Sequence, residues 1–583
     1  MHALIDFRAS QPDAGDALRC AFSAPLAVLV AHTPDQVHDV LAQVAQHAAQ
    51  GRWCVGHVAY EAAPAFDTAL SVHPCEGPLA AFGVYAEAQP WPEALPTGAQ
   101  ATWQDGVARA QFDAAMARIH AAIAAGDLYQ VNYTAPVHGQ LQGDPQALFQ
   151  ALLHAQPGGY GAYLDHGDSQ ILSVSPELFF DWNAPHILTR PMKGTAPRGR
   201  DPQDDARLAA QLRASPKERA ENVMIVDLLR NDLSRIAEPF SVQVPDLFHV
   251  ETLPTVLQMR SDVVARTRAD TRLVDVFRAL FPCGSITGAP KVQAMGLIRA
   301  LEPQARGVYC GAIGVVRPGG HATFSVAIRT VVARGPQLSC GIGSGITSDA
   351  RAEAEWQEWQ HKRAFLERAS TPFDILETLR LQEGQLHAAE QHLARMARAA
   401  QHFVYPFHIG DAQVALAQLA QSHPQGLFRV RLLLNQQGQL QAQAVAMEVT
   451  PTPVLIALAD RSFEAAHSEF VRFKTTRRAH YDAYAPLQAD VFDTLLSNAQ
   501  GELTECTRCN VALKLNGQWI TPALDSGLLG GVERAHLLDS GQIQEGVLTR
   551  AMLAWSEGLA VFNSLRGWME ARLLEPPVRN GME

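Results

Sequence analysis

The sequence lacks most of the features that would commit it to a membrane, to export or to nucleic acid. Only 8 cysteines occur, at 20, 54, 75, 283, 310, 340, 506 and 509, too few and too scattered for a disulfide framework. A reducing, cytoplasmic location fits that usage. One close pair exists, Cys506 and Cys509 in ECTRC. Its spacing suits a metal or redox site as well as plain packing, but no second pair completes a four-ligand zinc site. No apolar run approaches the about 18 residues of a membrane span. The first residues, MHALIDFRAS, carry Asp6 where a secretory leader carries basic and then apolar residues. The expectation is a soluble, unexported protein that binds no membrane. Basic residues are also in deficit, 47 Lys+Arg against 59 Asp+Glu for a net charge of −12. That balance leaves no footprint for nucleic acid or anionic lipid, so a small-molecule partner is expected. No internal repeat or low-complexity tract is present.

What remains is globular in kind. Of 583 residues, 47% are apolar and 18% charged, with 42 Gly and 35 Pro spread along the chain. At about 150 residues per domain, that length allows about four compact units. The first hundred or so residues contain no dense polar motif and are expected to be supporting structure. Phe112, Met116, Ile119 and Ile123 recur at helical spacing up to Ala125-Gly126-Asp127, where glycine can end a helix. LYQVNYT then alternates as a strand does. Val226, Leu229, Leu233 and Ile236 stripe a second helix, and a third should start near Pro290. Short strands such as FSVAIRTVV follow, then a Trp-rich helix ending near Ser370. Thr371-Pro372 makes a joint, after which LETLRL and the hairpin FRVRLLLNQQGQLQAQAV begin a separate domain.

The polar motifs of the first part are SPELFF, RPMKGTAPRGR, AENVMIVDLLRND, GSITGAPK, RGVYCGAIG, IRT, GIGSGIT and EAEWQEWQHK. In this order, over about residues 110 to 366, they resemble the chorismate-utilising enzymes: anthranilate, aminodeoxychorismate, isochorismate and salicylate synthases. Chorismate is a dicarboxylate whose ring loses a hydroxyl, so its site needs donors for carboxylates, a Lewis acid and a proton for the departing oxygen. Glu355, Glu358 and Lys362 share one helical face. Carboxylates with water and substrate suit Mg²⁺, and the resemblance implies Glu221 and Glu358 as its ligands, with Glu355 beside them. Each acid taken singly would be an ordinary solvated helix face. Arg329 alternates with Val326 and Ile328, so on a strand it would project into a cleft as they pack. The resemblance gives Arg329 and Tyr309 to the substrate carboxylate. It adds the glycine-rich loop Gly343-Ser344-Gly345 as a source of backbone donors, and Thr195, His249, Thr287 and Lys291 as further substrate contacts.

Lys193 separates the members of this group. Anthranilate synthases usually place a non-nucleophilic residue there, whereas aminodeoxychorismate synthases carry PIKGT, from which PMKGT differs only at Met192. A lysine attacks as the neutral amine. The resemblance implies that Lys193 adds at C2, the C4 hydroxyl leaves with a proton from Glu177, and ammonia enters C4 as the lysine is expelled. Isochorismate synthases also use a lysine, as a base for water, so that alternative stays open. No stretch around any cysteine looks like a glutaminase nucleophile, and Cys283 belongs to FPCGSITG. Ammonia is therefore expected from a separate glutamine amidotransferase subunit or from solution. The LLES motif of tryptophan-regulated anthranilate synthases has no obvious counterpart.

The remaining motifs are HLARMARAA, FKTTRRAHYDA, GELTECTRCNVAL, TPALDSGLLGGVERAHLL and FNSLRG. They resemble the fold-type IV pyridoxal-phosphate enzymes, which include branched-chain and D-amino-acid transaminases and aminodeoxychorismate lyase. The resemblance makes Lys474 the Schiff-base lysine, Glu505 the partner of the pyridine nitrogen, Arg395 the phosphate arginine, and Gly531-Val532 the phosphate cradle before a helix. Glu533 and CTRCN depart from the usual pattern, and a carboxylate at 533 could weaken phosphate binding. These residues alone do not separate a transaminase from a lyase.

Joined, the two resemblances imply an α+β synthase with facing antiparallel sheets followed by a two-lobed α/β fold-type IV domain. The expected boundaries are 1–105 for the supporting part, 106–369 for the chorismate-binding catalytic region and 370–583 for the pyridoxal-phosphate domain. The expected activity is synthesis of 4-amino-4-deoxychorismate from chorismate and ammonia, then elimination of pyruvate to give 4-aminobenzoate for folate synthesis. The alternatives are an anthranilate or isochorismate synthase joined to a class IV aminotransferase, or a tail that only dimerises or docks a partner. Fold-type IV relatives usually place their sites at a dimer interface, so a homodimer through the tail is expected.

Overall fold

The computed structural model describes residues 1–9, 17–93, 95, 96, 98–198, 202–252 and 256–574. The chain divides into two compact units, Met1–Pro372 and Phe373–Glu583.

The first unit is built on two ten-stranded sheets, whose strand pairs are all antiparallel among the described residues. Ala3, Ile5 and Phe7 of one sheet and Val55, Ile313 and Val315 of the other share one core, so the sheets face each other, as two apolar sheet faces must to leave water. Helices cover both outer faces. Pro34–Ala49, Pro216–Ser234 and Leu273–Leu280 pack on one sheet. Arg109–Ala124, Pro145–Ala155, Lys291–Leu301 and Ala352–Ser370 pack on the other. The first hundred residues supply strands to both sheets: His2–Phe7 pairs with Tyr160–Asp165, and Trp53–Val58 with Ala312–Val316.

The helical stripes read from the sequence are present. Phe112, Met116 and Ile119 are buried on Arg109–Ala124, and Gly126 beyond it adopts φ +82°. Two local expectations change. FSVAIRTVV is two strands, Ala322–Val326 and Thr330–Arg334, which belong to different sheets. Arg329 therefore lies on the crossover between sheets and not on a strand face. The Ile328 N–H bends back to the Val326 carbonyl at 2.7 Å, and Arg329 takes a left-handed φ of +49°, so the extended alternation that orients strand side chains stops there. The GIGSG stretch is not a loop but the end of strand Gln337–Ile346. It stays paired to Gln130–Gln142 through Ile346, whereas its pairing to Thr330–Arg334 stops at Cys340.

The second unit has two lobes. One is a four-stranded sheet containing Ile375–Gln382 and the hairpin Leu427–Leu434/Leu440–Ala446, with a core shared by helices Ala389–Phe403 and Ile409–Ser422. The other is an eight-stranded mixed sheet whose core includes Ile456, Leu495, Val511 and Val561.

Candidate active sites

In the first unit, Glu177 lies just ahead of strand Leu178–Asn183, and Lys193 on strand Met192–Pro197 beyond His186–Arg190. Leu178 pairs with Arg190, and the chain runs on past Pro191 along the same partner strand, Val256–Arg266, which leaves Lys193 close enough for its charge to act on Glu177. Glu177 is buried, and its Oε1 accepts from the Ser285 hydroxyl at 2.7 Å. Burial pushes its carboxyl up to about 7, against the Ser285 hydrogen bond, the Lys193 charge and the Met192 N–H. A carboxyl so poised holds a proton near neutrality, as a general acid requires. Gly345 closes the site from the other sheet: a Cβ there would lie 2.7 Å from Lys193 Nζ and 2.3 Å from Gln130 Nε2. Gln130 is fully buried, and among the described residues neither Oε1 nor Nε2 of its amide has a hydrogen-bond partner.

Two helices bring carboxylates to Lys193. Glu218 and Glu221 lie on Pro216–Ser234, Glu355 and Glu358 on Ala352–Ser370. Burial raises Glu218, Glu221 and Glu355 above the ordinary carboxylate range, and the acids press on one another: Glu218 on Glu221, and Glu358 on Glu218 and Glu355. Burial also acts to raise Glu358, but its contact with Lys362 at 2.7 Å, aided by Lys193 and Lys217, outweighs that and holds it low. Glu355 accepts from the Ser344 hydroxyl at 2.6 Å, and Lys362 donates to the Gly343 carbonyl at 3.0 Å. Among the described residues no three acidic, histidine or cysteine side chains converge as a finished metal cage. Mg²⁺ asks for less, since it keeps several waters and takes one or two carboxylates plus substrate oxygens. The mutually repelling carboxylates fit that demand.

Tyr309 is buried with its ring against Gly341, where a Cβ would meet Cδ1 at 2.2 Å. Thr287 is buried and donates to the Cys283 carbonyl at 3.0 Å. Arg329 donates to the Gln156 side chain and has no carboxylate partner among the described residues. Burial, with the Arg368 charge, lowers its guanidinium to about 10. A desolvated cation of this kind suits a carboxylate ligand. Thr195 is exposed and donates to Gln258 at 3.0 Å. His249 lies across strand Val256–Arg266 from Met192, both registering with Arg260, and its ring faces Asp246 at 3.4 Å. Lys291 is committed to Asp232 at 3.2 Å and to the Leu280 carbonyl. Gln130, Glu218 and Ser285 escaped the sequence reading. Glu218 was within reach, one helical turn ahead of Glu221.

In the second unit, Lys474, Arg395, Glu505 and the Gly530–Val532 turn form one group. Lys474 Nζ makes no hydrogen bond among the described residues. Burial, with the charges of Arg395 and Arg478, lowers its amine to about 8. Arg395 grips Glu377 through Nε at 2.8 Å and Nη2 at 2.7 Å, and its Nη1 donates to the Gly530 carbonyl at 3.1 Å. Against the pull of burial, Arg395 and His392 hold Glu377 down to about 2. Burial raises Glu505 to about 7, against the Tyr481 hydroxyl and the Leu529 N–H. Gly531 caps helix Val532–Asp539, and a Cβ there would strike Asn510 Oδ1 at 2.1 Å. Thr504 Oγ1 is buried with no partner among the described residues, a state that costs about 1–3 kcal/mol unless a ligand meets it. An unbonded amine, an acid, an arginine and an open helix start fit pyridoxal phosphate. Glu533 pairs with His387 at 3.3 Å. Cys506 and Cys509 are free and buried, and burial raises both thiols, so they pack as small apolar residues.

Residues 88–368 match the chorismate binding enzyme family, and residues 374–574 match the amino-transferase class IV family. The chain thus carries a chorismate binding enzyme domain followed by a class IV amino-transferase domain. It is 44% identical to the aminodeoxychorismate synthase component 1 of Salmonella typhimurium over 267 residues, 46% of this chain and 59% of the relative. It is 40% identical to the anthranilate synthase component 1 of Streptomyces coelicolor over 266 residues, 45% of this chain and 52% of the relative. The chain thus spans less than two thirds of the length of the curated relatives it matches. The solved anthranilate synthase component I of Streptococcus pneumoniae shares 25% identity at a TM-score of 0.53, covering 59% of this chain and 91% of that one.

Proposed function

We propose that the first unit converts chorismate and ammonia to 4-amino-4-deoxychorismate, and that the second eliminates pyruvate from it to give 4-aminobenzoate. The observation that carries this reading is Lys193 Nζ against Gly345, with Glu177 beside it, its carboxyl raised to about 7, and with Glu218, Glu221 and Glu358 near enough to feel the lysine charge. Lys193 adds to C2 of the ring, and Glu177 gives its proton to the departing C4 hydroxyl. Ammonia then bonds to C4, and the C2–lysine bond breaks to regenerate the amine. Glu221 and Glu358, with Glu355 behind them, would hold Mg²⁺ against the substrate's carboxylate. Arg329 and Tyr309 receive a carboxylate, with Gly343, Ser344 and Gly345 presenting backbone along the strand edge that no longer pairs with Thr330–Arg334. Relatives named component 1 support a separate glutamine amidotransferase as the ammonia source.

Bound pyridoxal phosphate would supply the electron sink that makes the C4 proton of the aminated ring acidic. Lys474 would anchor it, Arg395 and the Gly531–Val532 N–H groups its phosphate, and Glu505 its ring nitrogen. Lys474 would remove the C4 proton as the bond between ring carbon C3 and the enolpyruvyl oxygen breaks; the enolpyruvate leaves and takes up a proton to become pyruvate, and the ring becomes aromatic. A cytoplasmic homodimer through the second unit completes the proposal. No helix among the described residues is long and apolar enough to cross a membrane.

Similarity to anthranilate synthases favours a second reading, amination at C2 followed by a transaminase. The Lys474→Ala variant decides between them. With chorismate, Mg²⁺ and ammonium it should accumulate 4-amino-4-deoxychorismate without pyruvate, whereas anthranilate with pyruvate would establish the second reading.

A further inference from the structure

Glu505 uses its two oxygens unequally. Oε1 accepts two hydrogen bonds, from the Tyr481 hydroxyl at 2.6 Å and from the Leu529 N–H at 3.2 Å, whereas Oε2 accepts none among the described residues. The carboxylate is thus tied by one oxygen and presents the other. Tyr481 is itself immobilised. It is buried, its ring stacks on Phe463 at 5.4 Å, and the Arg478 guanidinium covers it at 4.6 Å. Arg478 is anchored by a hydrogen bond to the Thr507 carbonyl, and Thr507 donates to Asp493 at 2.6 Å. The tyrosine ring is held by these contacts, and among the described residues its hydroxyl has one acceptor, Glu505.

We infer that Tyr481 is the positioning residue that aims Glu505 at the ring nitrogen of the cofactor and keeps it anionic there. The inference rests on the pyridoxal-phosphate reading of this unit and adds to it a residue outside the cofactor contacts. Burial pushes the other way: it favours the neutral acid, and a neutral Glu505 cannot pair with a ring N–H⁺. Tyr481 is suited to oppose that, because burial and the neighbouring Glu505 charge raise its own phenol well above the ordinary range. It therefore stays a donor around neutral pH. The other groups acting on Glu505 are Lys474 and Arg478, and both favour its charged form.

Tyr481→Phe removes one oxygen and keeps the ring between Phe463 and Arg478, so the fold should survive. The purified variant, loaded with pyridoxal phosphate, is compared with wild type by titrating the visible absorbance band of the lysine-bound cofactor against pH. Turnover of 4-amino-4-deoxychorismate is measured alongside. Loss of the ring N–H⁺ makes the ring less electron-withdrawing, so the midpoint of the band should move to higher pH by about half a unit or more, and kcat should fall about tenfold with KM little changed. The same substitution made in Glu505→Gln should add nothing further, because Tyr481 acts through Glu505. An unmoved midpoint with wild-type kcat would overturn the inference, and so would full additivity with Glu505→Gln. A wild-type chain that shows neither cofactor band nor 4-aminobenzoate would instead defeat the reading of the unit itself.

Discussion

Gly345 and Lys193 belong to different sheets of the first unit, yet a Cβ on the glycine would sit 2.7 Å from the lysine Nζ. The same Cβ would reach Gln130 Nε2 at 2.3 Å. Both atoms it would meet are far ends of flexible side chains, so the backbone has no need to move. Gly345→Ala should therefore change stability by under about 1 kcal/mol while displacing the Lys193 amine. The synthase rate should fall at least about tenfold, since a shift of about 1 Å costs that or more. Thermal unfolding and amination rate measured together check it, and unchanged chemistry in the variant would remove Lys193 Nζ from its assigned place.

Glu177 sets a pH limit. Burial raises it to about 7, so it carries its proton below that value and loses it above. A proton donor loses about tenfold in rate per pH unit beyond its pKa. The rate of amination with ammonia held constant should decline above pH 7, and Glu177→Gln should be slow and flat across that range. A profile that keeps its alkaline limb in Glu177→Gln would assign the limb to another group.

The carboxylates around Lys193 predict a metal requirement confined to the first unit. Glu358→Gln should raise the Mg²⁺ concentration for half-maximal amination about tenfold or more. Chelation should stop amination and leave the cofactor band of the second unit untouched. Equal Mg²⁺ dependence in wild type and variant would take Glu358 out of the metal site.

The covalent capture of pyridoxal phosphate by Lys474 also has a direction. Burial and the charges of Arg395 and Arg478 lower the amine to about 8. Between pH 6 and 8 the neutral fraction rises about fifty-fold, more steeply in the first pH unit than in the second, so the rate at which apo-protein develops the visible band should rise with it. A rate independent of pH over that range would mean that the amine is held neutral throughout.

Helices announced themselves in the sequence, because spacing such as Phe112, Met116, Ile119 reports burial directly. The strand FSVAIRTVV misled, because alternation says nothing of a chain that leaves one sheet for the other at Ile328–Arg329. The residues around Lys193 were legible where a motif carried them, as Glu177, Glu221, Glu358 and Gly345 were. Ser285 and Gln130 were not, since a hydrogen bond spanning 108 positions of chain depends on sheet pairing that no local pattern encodes. Lys291 was named as a substrate contact, and its ion pair with Asp232 at 3.2 Å, 59 positions away, is one that no local pattern announces. In the second unit the cofactor group was readable as residues, but Tyr481, in the same FKTTRRAHYDA stretch as Lys474, showed its part only through its contact with Glu505.

The most direct test of the account is the identity of the product. The purified chain is incubated with chorismate, Mg²⁺, ammonium and pyridoxal phosphate beside Lys193→Ala, and the aromatic product is identified by chromatography against standards. The account predicts 4-aminobenzoate and pyruvate in equal amounts from wild type, and neither from Lys193→Ala. Anthranilate from wild type, or 4-aminobenzoate undiminished in Lys193→Ala, would contradict it.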